Sequence, residues 1–140
     1  QDILAQMIGY LMIFMEHGIF EVKTEGKLLR VDATGPFNEE LIIQYEKALE
    51  SCIQTLEVSQ WNQVITLHQL SLFTPEAEKV LINTLINRKS RGLIACVIVL
   101  LDVEGESLIK TQMSRCYDRA CVKHTFTSSI SDAENWLETI

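Results

Sequence analysis

The sequence predicts one α/β domain in which two antiparallel strands lead into a mostly parallel sheet packed by amphipathic helices. Three observations carry this. The apolar period switches repeatedly between two and about 3.6 along the chain. Leu93 to Leu101 is a nine-residue run without a charge, as a strand covered on both faces should be. A length of 140 residues suits a single core.

Ile19, Glu21 and Lys23 alternate with Phe20, Val22 and Thr24, a period-two pattern. Glu25-Gly26-Lys27 reads as a hairpin turn, and Leu28 to Ala33 as the returning strand, broken by Gly35-Pro36. Asn38 is placed to cap a helix whose first residues are Glu39 and Glu40, where the helix dipole favours anions. Leu41, Tyr45, Ala48, Leu49, Cys52, Ile53 and Leu56 give it one buried face, ending near Val58. Val64 to Leu67 then reads as a buried strand.

Thr74-Pro75-Glu76 is a helix start, with a hydroxyl cap, proline at the first position and an acid behind it. Ala77, Val80, Leu81, Thr84 and Leu85 form its stripe. Arg88, Lys89 and Arg91 load its last turn before Gly92. After the long strand Leu93–Leu101 comes a polar loop from Asp102. A third helix follows with Leu108, Ile109, Met113 and Cys116 on one side, then a short strand from Val122 to Phe126. Ser131-Asp132-Ala133-Glu134 reads as a capping box for a last helix lined by Ala133, Trp136, Leu137 and Ile140. The order is ββαβαβαβα, which implies right-handed crossovers.

Residues 1–14 are read as an apolar segment ahead of the domain at 15–140. Ile3 to Phe14 carries no charge and is shorter than the ~20 residues of a membrane span; it reads as an additional helix packed on the domain or on a second copy, as a peripheral membrane anchor, or as sequence upstream of a start at Met15, and the helix is the expectation carried forward. Through Ile3, Leu4, Met7, Ile8 and Leu11 it is expected to pair two copies into a homodimer. A net charge of −7 argues against nucleic acid, whose phosphates need a basic face. The four cysteines, irregularly placed, read as reduced thiols of a cytoplasmic protein.

The element order, with Gly35-Pro36 after the second strand, the buried strand at Val64–Leu67 and the helix after Thr74, resembles the STAS domain. That fold is shared by anti-sigma factor antagonists and the cytoplasmic ends of sulfate transporters. The resemblance covers roughly residues 18–140 and implies a non-enzymatic protein-interaction module. The family's turn before the second helix carries an Asp-Ser-Ser/Thr-Gly-like motif, phosphorylated by a partner kinase. Here the matching stretch is Phe73-Thr74-Pro75-Glu76-Ala77. The resemblance therefore implies partner binding without the usual switch, or a relative holding a hydrophobic small molecule or lipid between sheet and helices.

The candidate partner-binding residues are His68, Leu70, Ser71, Leu72, Phe73, Thr74 and Glu76, because open α/β sheets place ligands at the carboxyl ends of their strands. Leu70, Leu72 and Phe73 are unusually apolar for such a connection, and either plug the core or form a patch. His68 and Ser71 suggest a base and a nucleophile, but no Gly-x-Ser-x-Gly elbow surrounds Ser71 and no acid is evident for His68, so no catalytic role is expected. Cys116, Cys121 and His124 have a spacing foreign to zinc sites, and neither metal nor cofactor is expected. Arg88, Lys89, Arg91, Lys110, Arg115, Arg119 and Lys123 read as last-turn cations and a solvated face, or as a surface for an acidic partner.

Overall fold

A computed structural model describes residues 10–15 and 18–140. Six strands form one sheet in sequential order: β1 (Tyr10–Met15), β2 (Gly18–Glu25), β3 (Leu28–Thr34), β4 (Trp61–Gln69), β5 (Leu93–Val103) and β6 (Lys123–Thr127). β1, β2 and β3 pair antiparallel; β3 to β6 run parallel. The helices are α1 (Glu39–Leu56), α2 (Pro75–Ser90), α3 (Glu106–Arg119) and α4 (Ile130–Leu137). From β2 onward the order is ββαβαβαβα, as the periodicity predicts.

Sequential order has a consequence for the layers. Crossovers of one hand between successive parallel strands put every connecting helix on the same face. α1, α2 and α3 accordingly bury Leu41, Tyr45, Leu49, Leu81, Leu85, Ile109 and Met113 with Phe20, Val22, Leu29, Val31, Leu67 and Ile98 of the sheet. α4 follows the last strand, is bound by no crossover, and packs Ala133 on the opposite face against Val64, Val97 and Val99. It covers β5 and β6 and leaves β2 and β3 largely open on that side.

β5 behaves as its sequence demands: Leu93 and Ala95 to Leu100 are buried, with Cys96 and Ile98 in one core and Val97 and Val99 in the other. Each fully buried aliphatic side chain there contributes about 1.5–3 kcal/mol. β4 extends further than the apolar run Val64–Leu67 suggests. It begins at Trp61, whose indole is fully buried and donates Nε1–H to Arg91 O at 2.9 Å.

Four expectations need correction, and one more falls mostly outside the described residues. Tyr10 to Phe14, expected as part of a helix, belong to the strand Tyr10–Met15, placed by pairing Tyr10 with Lys23 and Met15 with Gly18. A short uncharged run does not distinguish strand from helix by period, and cross-strand pairing decides it. Ile3, Leu4, Met7 and Ile8, expected at a dimer interface, lie outside the described residues; Leu11 lies in β1 opposite Val22. The cap of α4 is Ser129, whose hydroxyl accepts from Asp132 N at 3.1 Å, and not Ser131. Both serines have an acid three residues on, and the earlier one starts the helix. Leu108 is 51% exposed, although its spacing from Ile109 and Met113 put it on the buried stripe.

Arg88 is the fourth. Spacing made it a last-turn cation, yet it is 1% exposed and continues the stripe of Ala77, Leu81 and Leu85 into the core. Its Nη1 donates to Gln63 Oε1 at 2.9 Å and its Nη2 pairs with Glu46. Gln63, also buried, donates to Cys96 Sγ at 3.4 Å and Tyr117 OH at 3.2 Å. A buried charge is tolerable only with such partners.

Candidate functional site

The connection from β4 to α2 sits at the carboxyl end of the parallel strands. Gln69, the last residue of β4, has φ +52°, and Asp102 at the corresponding end of β5 has the same value. Left-handed backbone at two non-glycine residues is costly, and such conformations concentrate at functional positions. The two ends are tied together, since Glu104 N–H donates to Gln69 O at 2.9 Å.

Beyond Gln69 the chain is pinned from three sides. Ser71 is completely buried; its Oγ donates to His68 O at 2.5 Å and accepts from Gly35 N–H at 3.1 Å. Gly35 approaches so closely that a Cβ there would lie 2.8 Å from Ser71 Cα and 3.0 Å from Leu70 O. Phe73 is buried against Phe37, ring centroids 4.7 Å apart. Phe37 N–H donates to Leu72 O at 2.8 Å and Thr74 N–H to Phe37 O at 3.1 Å, a one-residue parallel bridge between the loops after β3 and β4. From α3, the Gln112 amide closes both backbone groups of Phe73: its Oε1 accepts from Phe73 N–H and its Nε2 donates to Phe73 O, each at 2.9 Å. Thr74 Oγ1 accepts from Ala77 N–H at 3.1 Å and so caps α2.

The apolar residues of the loop divide between core and surface. Phe73 plugs the core and Leu72 is half-buried, while Leu70 at the tip is 42% exposed. Glu76 is exposed on the first turn of α2. Of the seven predicted residues, the structure brings His68, Leu70, Thr74 and Glu76 to the surface and assigns Ser71 and Phe73 to holding the loop.

His68 has a partner that sequence spacing did not reveal. Its Nε2 lies 2.9 Å and 3.0 Å from the two carboxylate oxygens of Asp32 on β3. The signal was available only through the sheet: Thr34 pairs with His68, and Asp32, two residues earlier, shares its face. The carboxylate is an acceptor for Nε2 when that nitrogen carries the hydrogen, and it orients the ring. Ser71 does not complete a triad with this pair, because its hydroxyl is spent on the His68 carbonyl and Gly35 N–H inside the loop. Gln112 was also missed; nothing in a helix-face glutamine announces that it clamps a distant backbone.

No protein-family model, curated protein or solved structure matches this chain. The site stands on its own geometry.

Carboxylates crowd this edge. Asp32, Glu39, Glu40, Glu76, Asp102, Glu104 and Glu106 are all exposed, most of them at or beside the helix N-termini that the crossovers bring there. Three of the seven basic residues from Arg88 to Lys123 are already engaged. Arg88 is buried, Arg91 is bound to Glu50 and Glu57, and Arg115 pairs bidentately with Glu78 at 2.9 Å and 2.8 Å.

Among the described residues no three His, Cys, Asp or Glu side chains gather at metal-binding distance. Cys116 is buried against Glu78, whereas Cys121 is exposed. Burial pushes the Cys96 thiol up to about 11. Burial, with the Glu78 carboxylate beside it, takes Cys116 to about 12, so both are poor nucleophiles at neutral pH. The layer between the sheet and α1–α3, where the alternative reading places a hydrophobic ligand, holds Phe20, Phe37, Tyr45, Leu67 and Phe73. No helix among the described residues is long and apolar enough to cross a membrane.

Proposed function

We propose that this domain is a regulatory interaction module, without catalysis of its own, that docks a protein partner on the carboxyl edge of its sheet. The reading follows the resemblance to anti-sigma factor antagonists. The observation that carries it is Leu70, an exposed apolar side chain on a loop whose neighbours are anchored by Ser71, Phe73 and Gln112. A loop already held in one conformation loses little freedom on association, so contact energy is not spent on ordering it. The surrounding carboxylates favour a partner with a basic rim around an apolar pocket. His68 with Asp32 and Glu76 flank the contact, and Thr74 contributes as the cap of α2 and not as a phosphoacceptor.

The experiment is site-specific photo-crosslinking in the native cell, with a photoreactive phenylalanine at position 70 of the full chain. A parallel probe replaces Ile86, another exposed apolar residue, further along α2. A discrete crosslinked species from position 70 and none from position 86, lost on Glu76→Lys, is the expected result. Equal labelling from both positions, or none from position 70, refutes the assignment.

A further inference from the structure

Of the four helices, α4 is held by the fewest buried side chains. α1 buries Leu41, Ile42, Tyr45, Leu49, Ile53 and Leu56, whereas α4 buries Ala133 alone. Ile130, Trp136 and Leu137 are half-buried beside it. α1, α2 and α3 each join two strands of the sheet. α4 hangs from β6 by Ser128 and Ser129 and leads into no strand among the described residues. Toward β3 it is not close-packed: open hollows of about 180 Å³ and 330 Å³ flank it, the first beside Ile130, the second beside Leu137. Arg30 lines the first and Glu134 the second. The pair they form, Nη2 to Oε2 at 2.5 Å, ties α4 to β3. Half of the Glu134 side chain is exposed, and a pair so open to water holds weakly.

Beneath α4 the sheet presents Val64, Val97 and Val99, all buried by it. Cations border this strip. Arg30 stands on β3, Lys27 lines the second hollow, and Lys123 on β6 places its Nζ 5.6 Å from the Trp136 ring centroid. α4 answers with Asp132, Glu134 and, at its C-cap, Glu138 around its apolar side. The occupant this face accepts is therefore visible: an amphipathic helix with an acidic rim.

We propose that α4 is a displaceable latch, opening as a unit while the rest of the domain stays folded, and that the uncovered face docks an acidic amphipathic helix of a partner protein in its place. An element with few buried apolar contacts opens locally before the core does. Anchors spaced along one helix face and laid on an apolar strip are a recurring mode of peptide recognition. The short tether keeps α4 at high effective concentration, so a competitor binds weakly until the latch is loosened. This surface lies on the face opposite α1–α3 and does not depend on the reading of the carboxyl edge.

The test uses the full chain in two measurements. In native-state hydrogen exchange, the α4 amides from Ala133 to Leu137 should share one rate. That rate should be at least about 100-fold faster than at Val97 and Val99 of β5 and nearly independent of urea. Glu134→Lys, which sets a second cation against Arg30, should speed α4 several-fold further and leave β5 unchanged. A synthetic peptide of residues 128–140, titrated to about 2 mM, should then shift the methyl resonances of Val64, Val97 and Val99. Glu134→Lys should respond at concentrations at least about threefold lower than the parent, and a scrambled peptide should shift neither. The proposal is overturned by α4 amides with the rate and urea dependence of β5, or by a Glu134→Lys chain in which α4 is no faster or β5 speeds up equally. A 128–140 peptide that shifts these methyls no more than its scrambled form does also overturns it.

Discussion

Replacing Arg88 by methionine tests whether the buried polar network belongs to the structure or merely survives in it. Methionine keeps most of the aliphatic volume, so packing changes little. What is lost is the guanidinium that partners Gln63 Oε1 and Glu46 and lies 5.7 Å from the Tyr45 ring centroid. Removing one member of a buried ion pair costs about 3–5 kcal/mol, because the other charge stays behind. Two features reduce that figure. Glu46 is only partly buried and its carboxylate can turn toward water. Arg88 Nε is itself buried without a partner, a cost of about 1–3 kcal/mol that disappears with the arginine. The net expectation is a loss of about 2–3 kcal/mol in urea unfolding at pH 7. Adding Glu46→Met removes the stranded carboxylate and should recover about 1 kcal/mol or more. A single variant within about 0.5 kcal/mol of the parent, or a double variant less stable than the single one, would refute the reasoning.

The loop after β4 and the core offer further measurements. Gly35→Ala brings a methyl group against the backbone of Ser71 and Leu70, which cannot rotate away. It should cost about 1–3 kcal/mol and move the amide resonances of Leu70 to Phe73. Thr74→Ala should cost about 1 kcal/mol through loss of the α2 cap, and Thr74→Asp, which retains a cap acceptor, should cost much less; equal losses in denaturation would contradict the capping role. Burial raises the Cys96 thiol from 9.0 to about 11 and Tyr45 from 10.0 to about 12. Between the lower and upper values the unfolded chain has released protons that the folded one keeps. Stability is therefore full below pH ~9 and falls as pH rises toward ~12, by up to about 1.4 kcal/mol per unit and group. Cys96→Ala should flatten the urea-midpoint profile between pH ~9 and ~11.

Elements whose signal lies within a few adjacent residues were legible in the sequence. The hairpin at Glu25–Lys27, the caps Asn38 and Thr74, and the strand Leu93–Leu101 all follow from local chemistry. Features that depend on what comes to lie opposite were not. Tyr10–Met15 is a strand because β2 offers it a partner. Arg88 is buried because Gln63 and Glu46, from different elements, converge on it. The loop after β4 was recognisable as a candidate from its apolar content, but the assignment of Phe73 to the core and Leu70 to the surface required Phe37 and Gln112 to be in place. Asp32 follows the same rule, since the sheet and not the chain makes it a neighbour of His68.

The charge on the carboxyl edge is itself largely a product of this topology. Three crossovers of one hand bring the N-termini of α1, α2 and α3 to that edge, and acids in first turns stabilise helices whatever the domain does. Glu39, Glu40, Glu76 and Glu106 are thus explained by helix electrostatics alone. An acidic edge is accordingly weak grounds for a particular partner, although it will steer basic ones. The residues that helix formation does not require are more informative. Leu70 is exposed and makes no capping contact, so helix formation does not call for it. His68 and Asp32 lie before the helix, on the face opposite α1–α3, and cap nothing. Gln69 and Asp102 adopt left-handed backbone where glycine would fit at lower cost. On the proposed reading, partner choice should therefore reside in Leu70 and the His68–Asp32 pair, with the carboxylates setting the rate of encounter and its dependence on salt.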